Sequence, residues 1–529
     1  MSMKKTIAAM CAVLAASLAG SKAELVPVTT DIASGTTVTW SATNQYRLDT
    51  VIYVQTNATL VIEPGTVVYG ATNVTVARND IPELVSALWV TRGGKLMAEG
   101  TREKPIIFTA EGDRLDGSIP PTQTSLWGGV VVMGNAVINS AKDAVGNVAS
   151  PKFDVYEGVT GPGSNFEHRF GGSNDDDSSG VLRYVSIRHA GRIFAPDAEL
   201  NALTLAGVGR GTVVEYVEVY AGSDDGFEWW GGTVGSRYLV SGFIEDDDFD
   251  TDQGYRGTNQ FWFGIKPPWA GTADSRGIES DGDLNQSALG EMPFNRWSAY
   301  NVTLIGRGKS ETAGGLGVAW NTRDEDAPMV FNSVFTDWNQ GLRLDLDGLY
   351  HHTNATRLAS IRNNLWNVTD AATDAGDFLF TGAEFMNQVG DAMLGGVSYM
   401  ADGVLDPRPK SGSPVYQNVM AGAPAAVGYR GAFAGPEDDW ADGWTALSRY
   451  GYLKAATPRI DAMVSIEGGM VVVRFESVAG RAYRVQSRRD LFDGAWGDVG
   501  GVLTGNGAVL MHSEPVQDVP SMFFRVVAP

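Results

Sequence analysis

The sequence predicts an all-β chain wound as a parallel β-helix and followed by a small antiparallel β-sandwich. Three observations carry that expectation. Short apolar runs rich in Val, Ile, Thr and aromatic residues recur along the 529 residues, each too short for a helix. Glycine is abundant, at 65 residues, and stands where the runs break, as tight turns require. Residues 213–263 also repeat themselves: a shift of 22 lays Tyr216 on Tyr238, Asp224 on Asp246, Asp225 on Asp247 and Glu228 on Asp250, and one more shift carries Tyr238 to Gln260. A period in the twenties is the signature of a solenoid coil. The chain is too long for one ordinary globular core, a limit that solenoids escape because each coil touches only its neighbours.

The N-terminus reads as an address. Lys4 and Lys5 precede an apolar run over 6–19, and Ser21-Lys22-Ala23 supplies the small residues of a cleavage site. Residues 1–23 are therefore expected to be a secretory signal peptide, and the location secreted, extracellular or cell-surface. The one cysteine, Cys11, lies inside that segment, so neither a disulfide nor a catalytic thiol is expected in the remainder. No later stretch is long and apolar enough to span a bilayer. A formal charge of −22 argues against nucleic acid, whose phosphates it would repel. It favours neutral or cationic ligands unless a metal intervenes.

Residues 24–57 show no clear pattern and are expected to form an N-terminal cap, since the terminal repeats of solenoids are atypical. The β-helix itself is expected over 58–454. It opens with TLVIEPGTVVYG (59–70) and ALWVTRGGKLMAEGTREKPIIFTA (87–110), and Trp127-Gly128-Gly129 leads into a further run over 130–138. Residues 140–179 are rich in Gly, Asn and Asp, contain His168 and Arg169, and end near Asp175-Asp176-Asp177. They are expected to leave the coil as a surface insertion, the kind of loop that lines binding faces of solenoids. The rhythm then returns, with Tyr216 standing 32 positions after Tyr184, and with Tyr300, Asn332 and Asn364 at further steps of 32. The Asn and Ser at these rungs suit either inward polar ladders or ordinary turns. Residues 267–293 form an acidic loop with Asp274, Glu279, Asp281 and Asp283, and Arg323-Asp324-Glu325-Asp326 forms another. His351-His352 follows a clean alternation, and 376–418 reads as a terminal wrap. A Thr-Pro linker near 455–459 precedes the runs MVVVRFE, AYRVQSR, AVLMHS and MFFRVV, which predict the β-sandwich over 459–529.

The segment LWVTRGGKLMAEGTREKPIIFTA resembles the opening coils of bacterial secreted right-handed parallel β-helix proteins of the pectin-lyase-like superfamily. YAGSDDGFEWWGGTVGSRYLVSGFIEDDDFD and GYRGAFAGPEDDWADGWTAL are similar to a group of secreted or surface proteins within it. The likeness covers about 60–447 and implies a fold far more than an activity. The ending resembles tail modules attached to many bacterial secreted proteins, which implies attachment or spacing.

Stacked coils place equivalent side chains one strand spacing apart, roughly 4.8 Å. Two carboxylates at that distance repel by about 3–4 kcal/mol at an effective dielectric near 20. The pairs Asp224/Asp246, Asp225/Asp247 and Glu228/Asp250 therefore need protons, solvent or cations, and a hard cation with oxygen ligands, Ca²⁺ first, suits them. The alternative is a solvated loop edge with loose counter-ions. Trp229, Trp230, Tyr255, Trp262 and Trp269 follow the acids closely, a mix expected where a polysaccharide or cell-surface glycan docks, although alternation would turn one of Trp229 and Trp230 into the core. An enzyme, a polysaccharide lyase or a glycoside hydrolase, is the competing expectation. Ser223-Asp224-Asp225-Gly226 is similar to the paired aspartates of the polygalacturonase type, but neither the Gly-His-Gly of that type nor its Arg-x-Lys at a later rung is expected here. A lyase would need a base, with Arg256 the nearest and Arg188, Arg192 and Arg237 further candidates.

Overall fold

The structure is a computed structural model that describes residues 23–139, 153–156, 168–195, 198–269, 275–282, 292–312, 317–345, 349–353, 358–456, 460, 462–477, 480–489, 496–516 and 521–527. The expected signal peptide, with Cys11, falls almost wholly outside them, as do most of 140–167 and the acids Asp274 and Asp283. Two compact units divide the chain, one ending at Ala455 and the other starting at Ala456.

The first unit is a parallel β-helix. Strands from Glu24–Val28 to Gln388–Val389 belong to one sheet of 26 strands. Each strand pairs with the strand one coil on, as Thr37–Trp40 does with Thr59–Ile62 and Thr59–Ile62 with Lys95–Glu99. Ala87–Val90, Ile106–Ala110 and Val130–Met133 are buried throughout and read as continuous apolar runs. In the first and last of these, Leu88 and Val130 turn into the coil, while Trp89 and Val131 face outward and are covered by Tyr156, Phe170 and Phe194. Among the described residues no helix is long and apolar enough to cross a membrane.

Residues 24–57 are regular coil rather than an irregular cap. Glu24–Val28 pairs in parallel with Asn44–Leu48, and Val51–Val54 with Ala87–Val90. Ladder hydrogen bonds ask nothing of side chains, and the largely exposed Glu24–Val28 carries no apolar pattern to reveal them.

The register follows the expected shift of 22 through Glu215↔Arg237, Val217↔Leu239 and Glu228↔Asp250. It then slips by one, because Arg237 pairs with Gln260 and Leu239 with Trp262. Tyr238 consequently stacks on Phe261, not on Gln260. Tyr184, Tyr216 and Tyr238 form a column of near-parallel rings 4.5 and 4.4 Å apart, each at a corner with positive φ. In the later coils Tyr300 pairs with Phe331 and Phe331 with Arg362, a step of 31 in place of the expected 32. Both readings of the polar rungs then hold in part. Ser333 N donates to Asn364 Oδ1 and Asn364 N to Asn387 Oδ1, an inward ladder. Asn301, Asn332 and Asn363 occupy the positive-φ corners and donate outward, to the carbonyls of Tyr429, Met420 and Asn418.

Those carbonyls belong to a return strap. From about Pro414 the chain runs back along the β-helix towards earlier coils, so the wrap extends well beyond 418. Ala446 N and Leu447 N donate to buried Glu218, and Arg188 donates to the Tyr450 hydroxyl. Among its described residues the second unit holds two three-stranded antiparallel sheets. Val473 and Phe475 of one pack on Tyr483 and Val485 of the other, the core of a small β-sandwich.

Candidate functional site

The loops that enter three successive strands, Phe227–Trp230, Phe249–Asp252 and Ile278–Asp281, bring the acids together. Parallel pairing sets Glu228 on Asp250 and Asp250 on Glu279. Two residues before each strand, the same register sets Asp225 on Asp247 and Asp247 on Arg276. Gly226 allows the close approach, since a Cβ there would meet Asp248 O at 2.8 Å. Gly226 N donates to Asp247 O, and Asp247 N donates to Asp225 Oδ1 at 3.0 Å. The expected stacking of Asp225 with Asp247 and of Glu228 with Asp250 is thus the observed arrangement.

The carboxylates sit where water is scarce. Asp225 and Asp247 keep 8% and 2% of their surface exposed. Burial, reinforced by Asp224, Asp250 and Asp247, pushes the Asp225 carboxyl well above its ordinary range. Burial with Glu279 and Asp246 does the same to Asp247, and burial with Glu228 and Glu279 to Asp250. Asp250 Oδ1 is buried with no hydrogen-bond partner. The backbone N–H of Arg276 donates to Asp247 Oδ1, and the Arg276 guanidinium lies 2.7 Å from Glu279 Oε1 and 3.7 Å from Asp247 Oδ2. Two triads result, Asp224/Asp225/Asp246 and Asp225/Glu228/Asp250, each with its oxygens within 4.8 Å of one another, and Asp225 belongs to both. Oxygen-only donors at this density suit a hard divalent cation.

The aromatic expectation is corrected. Trp229, Tyr255 and Trp262 are fully buried. Trp229 stacks on Trp262 at 5.1 Å and on Tyr255 at 5.4 Å inside the coil, and the Tyr255 hydroxyl donates to Val234 O. Alternation points Trp230 outward, yet it is only 5% exposed, because Tyr156 and Phe170 of the insertion cover it. None of these four rings can offer a face to a sugar. Of the five, only Trp269 keeps part of its ring accessible, packed on Phe243.

Arg256 is not placed to act as a base. Its guanidinium forms a two-pronged pair with Asp175, at 2.7 and 3.0 Å, and also donates to Val137 O and Gly254 O. It fastens the end of the insertion to the coil. Arg188 is buried against Ser186 and Tyr450, and Arg192 donates to Thr72 O.

The cationic groups nearest the acids are ones that sequence reasoning misses. Lys266 is fully buried; its ammonium donates to Asp246 O and lies 3.9 Å from Asp248 Oδ1. Burial lowers the Lys266 pKa, whereas burial raises that of Asp248 to about 6 despite Lys266 beside it. Arg307 donates to Ser275 Oγ, one coil above Asp246. The expectation that no Arg-x-Lys stands at a later rung is corrected, because Arg307-Gly308-Lys309 is such a run and is legible in the sequence. Arg276 is not, because the step from Asp247 is 29 and no longer 22.

Residues 31–402 match the model of a family described as a pectate-lyase like beta helix domain. No curated protein matches the chain.

Proposed function

We propose, for a chain that belongs to the pectate-lyase-like β-helix family, a carbohydrate-interacting role outside the cell in which the acid column holds Ca²⁺. The observation that carries this reading is the pair of partly buried carboxylate triads that share the buried Asp225. Asp224, Asp225, Glu228, Asp246 and Asp250 would supply the oxygens, with Asp247 behind them. A bound Ca²⁺ would offset two of the column's negative charges and offer open coordination positions to sugar hydroxyls or carboxylates. The protein's own contribution is rigidity: the Asp247 N–H donates to the Asp225 carboxylate and fixes it, and the Arg276 side chain holds Glu279. Of the five aromatic residues, Trp269, part-exposed and packed on Phe243, is the one left with surface to meet a sugar ring.

A second reading, a polysaccharide lyase or glycoside hydrolase on the same face, is favoured by the Lys266 ammonium and the Arg307 guanidinium beside the carboxylates. One experiment addresses both. The protein and its Asp225→Asn variant are incubated with a polysaccharide panel in calcium or chelator, following pull-down, ultraviolet absorbance of unsaturated uronides and new reducing ends. Calcium-dependent retention that the variant loses, with no product, supports the binding role. Accumulation of either product assigns the enzyme, and absence of retention and of product removes both readings.

A further inference from the structure

The charge of the chain is unevenly shared. From Ala456, where the second unit starts, to the end the sequence holds seven arginines against eight acids, whereas the 455 residues before it hold 33 basic and 54 acidic groups. A polyanion is repelled by the β-helix and meets little net charge at the second unit.

Within that unit the arginines gather on one face of a sheet. Ala482–Arg488 lies between Gly497–Thr504 and Phe523–Val527. Tyr483, Val485, Val499, Phe524 and Val526 turn inward to the sandwich core, so alternation turns Arg484, Gln486, Arg488, Asp498 and Arg525 outward. The register agrees, since Gln486 pairs with Asp498 on one side and with Arg525 on the other. Asp498 is held by an ion pair with Arg484 and accepts from Gln486 Nε2 at 2.7 Å. Arg525 is exposed, and its Nε donates to Gln486 Oε1 at 2.9 Å. Half-buried Trp496 lies beside both remaining arginines, with the guanidinium carbons of Arg488 and Arg525 at 4.6 and 4.5 Å from its ring centre. Two like charges therefore share one ring, and burial together with Arg488 lowers the pKa of Arg525.

We infer that this face of the second unit docks a sulfated polysaccharide. Sulfate ester oxygens would accept from the exposed Arg525 guanidinium, in the field of Arg484 and Arg488, and the Trp496 ring would carry the apolar face of a sugar. A carboxylate has two coplanar oxygens that one guanidinium fork fills. A sulfate ester offers three terminal oxygens, and so spans guanidinium groups that approach from neighbouring strands. The face needs no cation and lies in a different unit from the acid column, so it stands whether or not that column binds one.

The test uses the full chain in chelator, with binding to immobilised dextran sulfate, dextran, polygalacturonate and polyphosphate followed by biolayer interferometry. The expected result is saturable binding of dextran sulfate that weakens at least about tenfold between roughly 50 and 500 mM salt, with weaker or no binding of the other three polymers. Affinity should fall at least about tenfold in Arg525→Ala. Arg525→Lys keeps the charge and loses the fork, and should restore only part of it. Arg484→Ala leaves Asp498 uncompensated on the face and should also weaken binding, while Asp225→Asn should leave it unchanged. Arg484 and Arg525 are both exposed, so either variant remains informative should the other fail to fold. No saturable binding of dextran sulfate, equal binding of plain dextran, a preference for polygalacturonate or polyphosphate, or binding insensitive to both alanine variants would each overturn the inference.

Discussion

Asp225 donates oxygens to two triads at once, so its replacement has two separable effects. In Asp225→Asn the calcium response of the melting temperature should vanish. In chelator at pH 8 the variant should be at least as stable as the parent, because one buried negative charge has gone. Differential scanning calorimetry reads both, and a variant that is less stable in chelator yet still responds to calcium would contradict them. Arg256→Ala should behave oppositely, losing about 1–3 kcal/mol in chemical denaturation through its broken pair with Asp175, with the calcium response intact. At this scale the acids were legible, since six carboxylates repeat at one period. The tryptophans were not: Trp230 is hidden by an insertion whose path no local pattern encodes, and Trp229 by the aromatic stack within the coil.

Strands and turns account for what the period could and could not reveal. Minimal coils with a step of 22 align by inspection, but a turn one residue longer moves Phe261 into the place expected for Gln260. The return strap lay beyond sequence reasoning because its bonds join residues far apart in the chain. Glu218 is its anchor: fully buried, it accepts from Ser186 Oγ, Ala446 N and Leu447 N. Glu218→Ala leaves those donors unmet, and should cost about 3–5 kcal/mol and expose residues 440–453 to limited proteolysis. Unchanged digestion would remove the anchoring role. Trp229→Ala, within the inner stack, should cost about 3–5 kcal/mol by denaturant unfolding.

Across the whole molecule the acids and histidines set opposing responses to pH. Burial raises Asp248 to about 6 and Asp326 to about 7, against 3.8 for the ordinary carboxyl. Their stabilisation is complete below that ordinary value and is lost as pH rises through about 6 to 7. His168, His351 and His352, lowered to about 4, contribute above 6.5 and lose their contribution as pH falls towards 4. The difference between calcium and chelator cancels both and leaves the column. Because Asp225, Asp247 and Asp250 are raised, calcium must displace protons at low pH, and its stabilisation should grow from pH 5 to pH 8, reaching about 2.7 kcal/mol at a hundredfold excess over the dissociation constant. Composition and periodicity disclosed the β-helix and the sandwich because a stacked coil writes its burial into every strand. They gave less of the site, whose cations arrive from coils of irregular length. The most direct measurement is anomalous diffraction from crystals soaked in calcium. A peak about 2.3–2.6 Å from carboxylate oxygens of Asp225 and its triad partners is the expected result, and a map with no peak at Asp225 in a fully soaked crystal would contradict it.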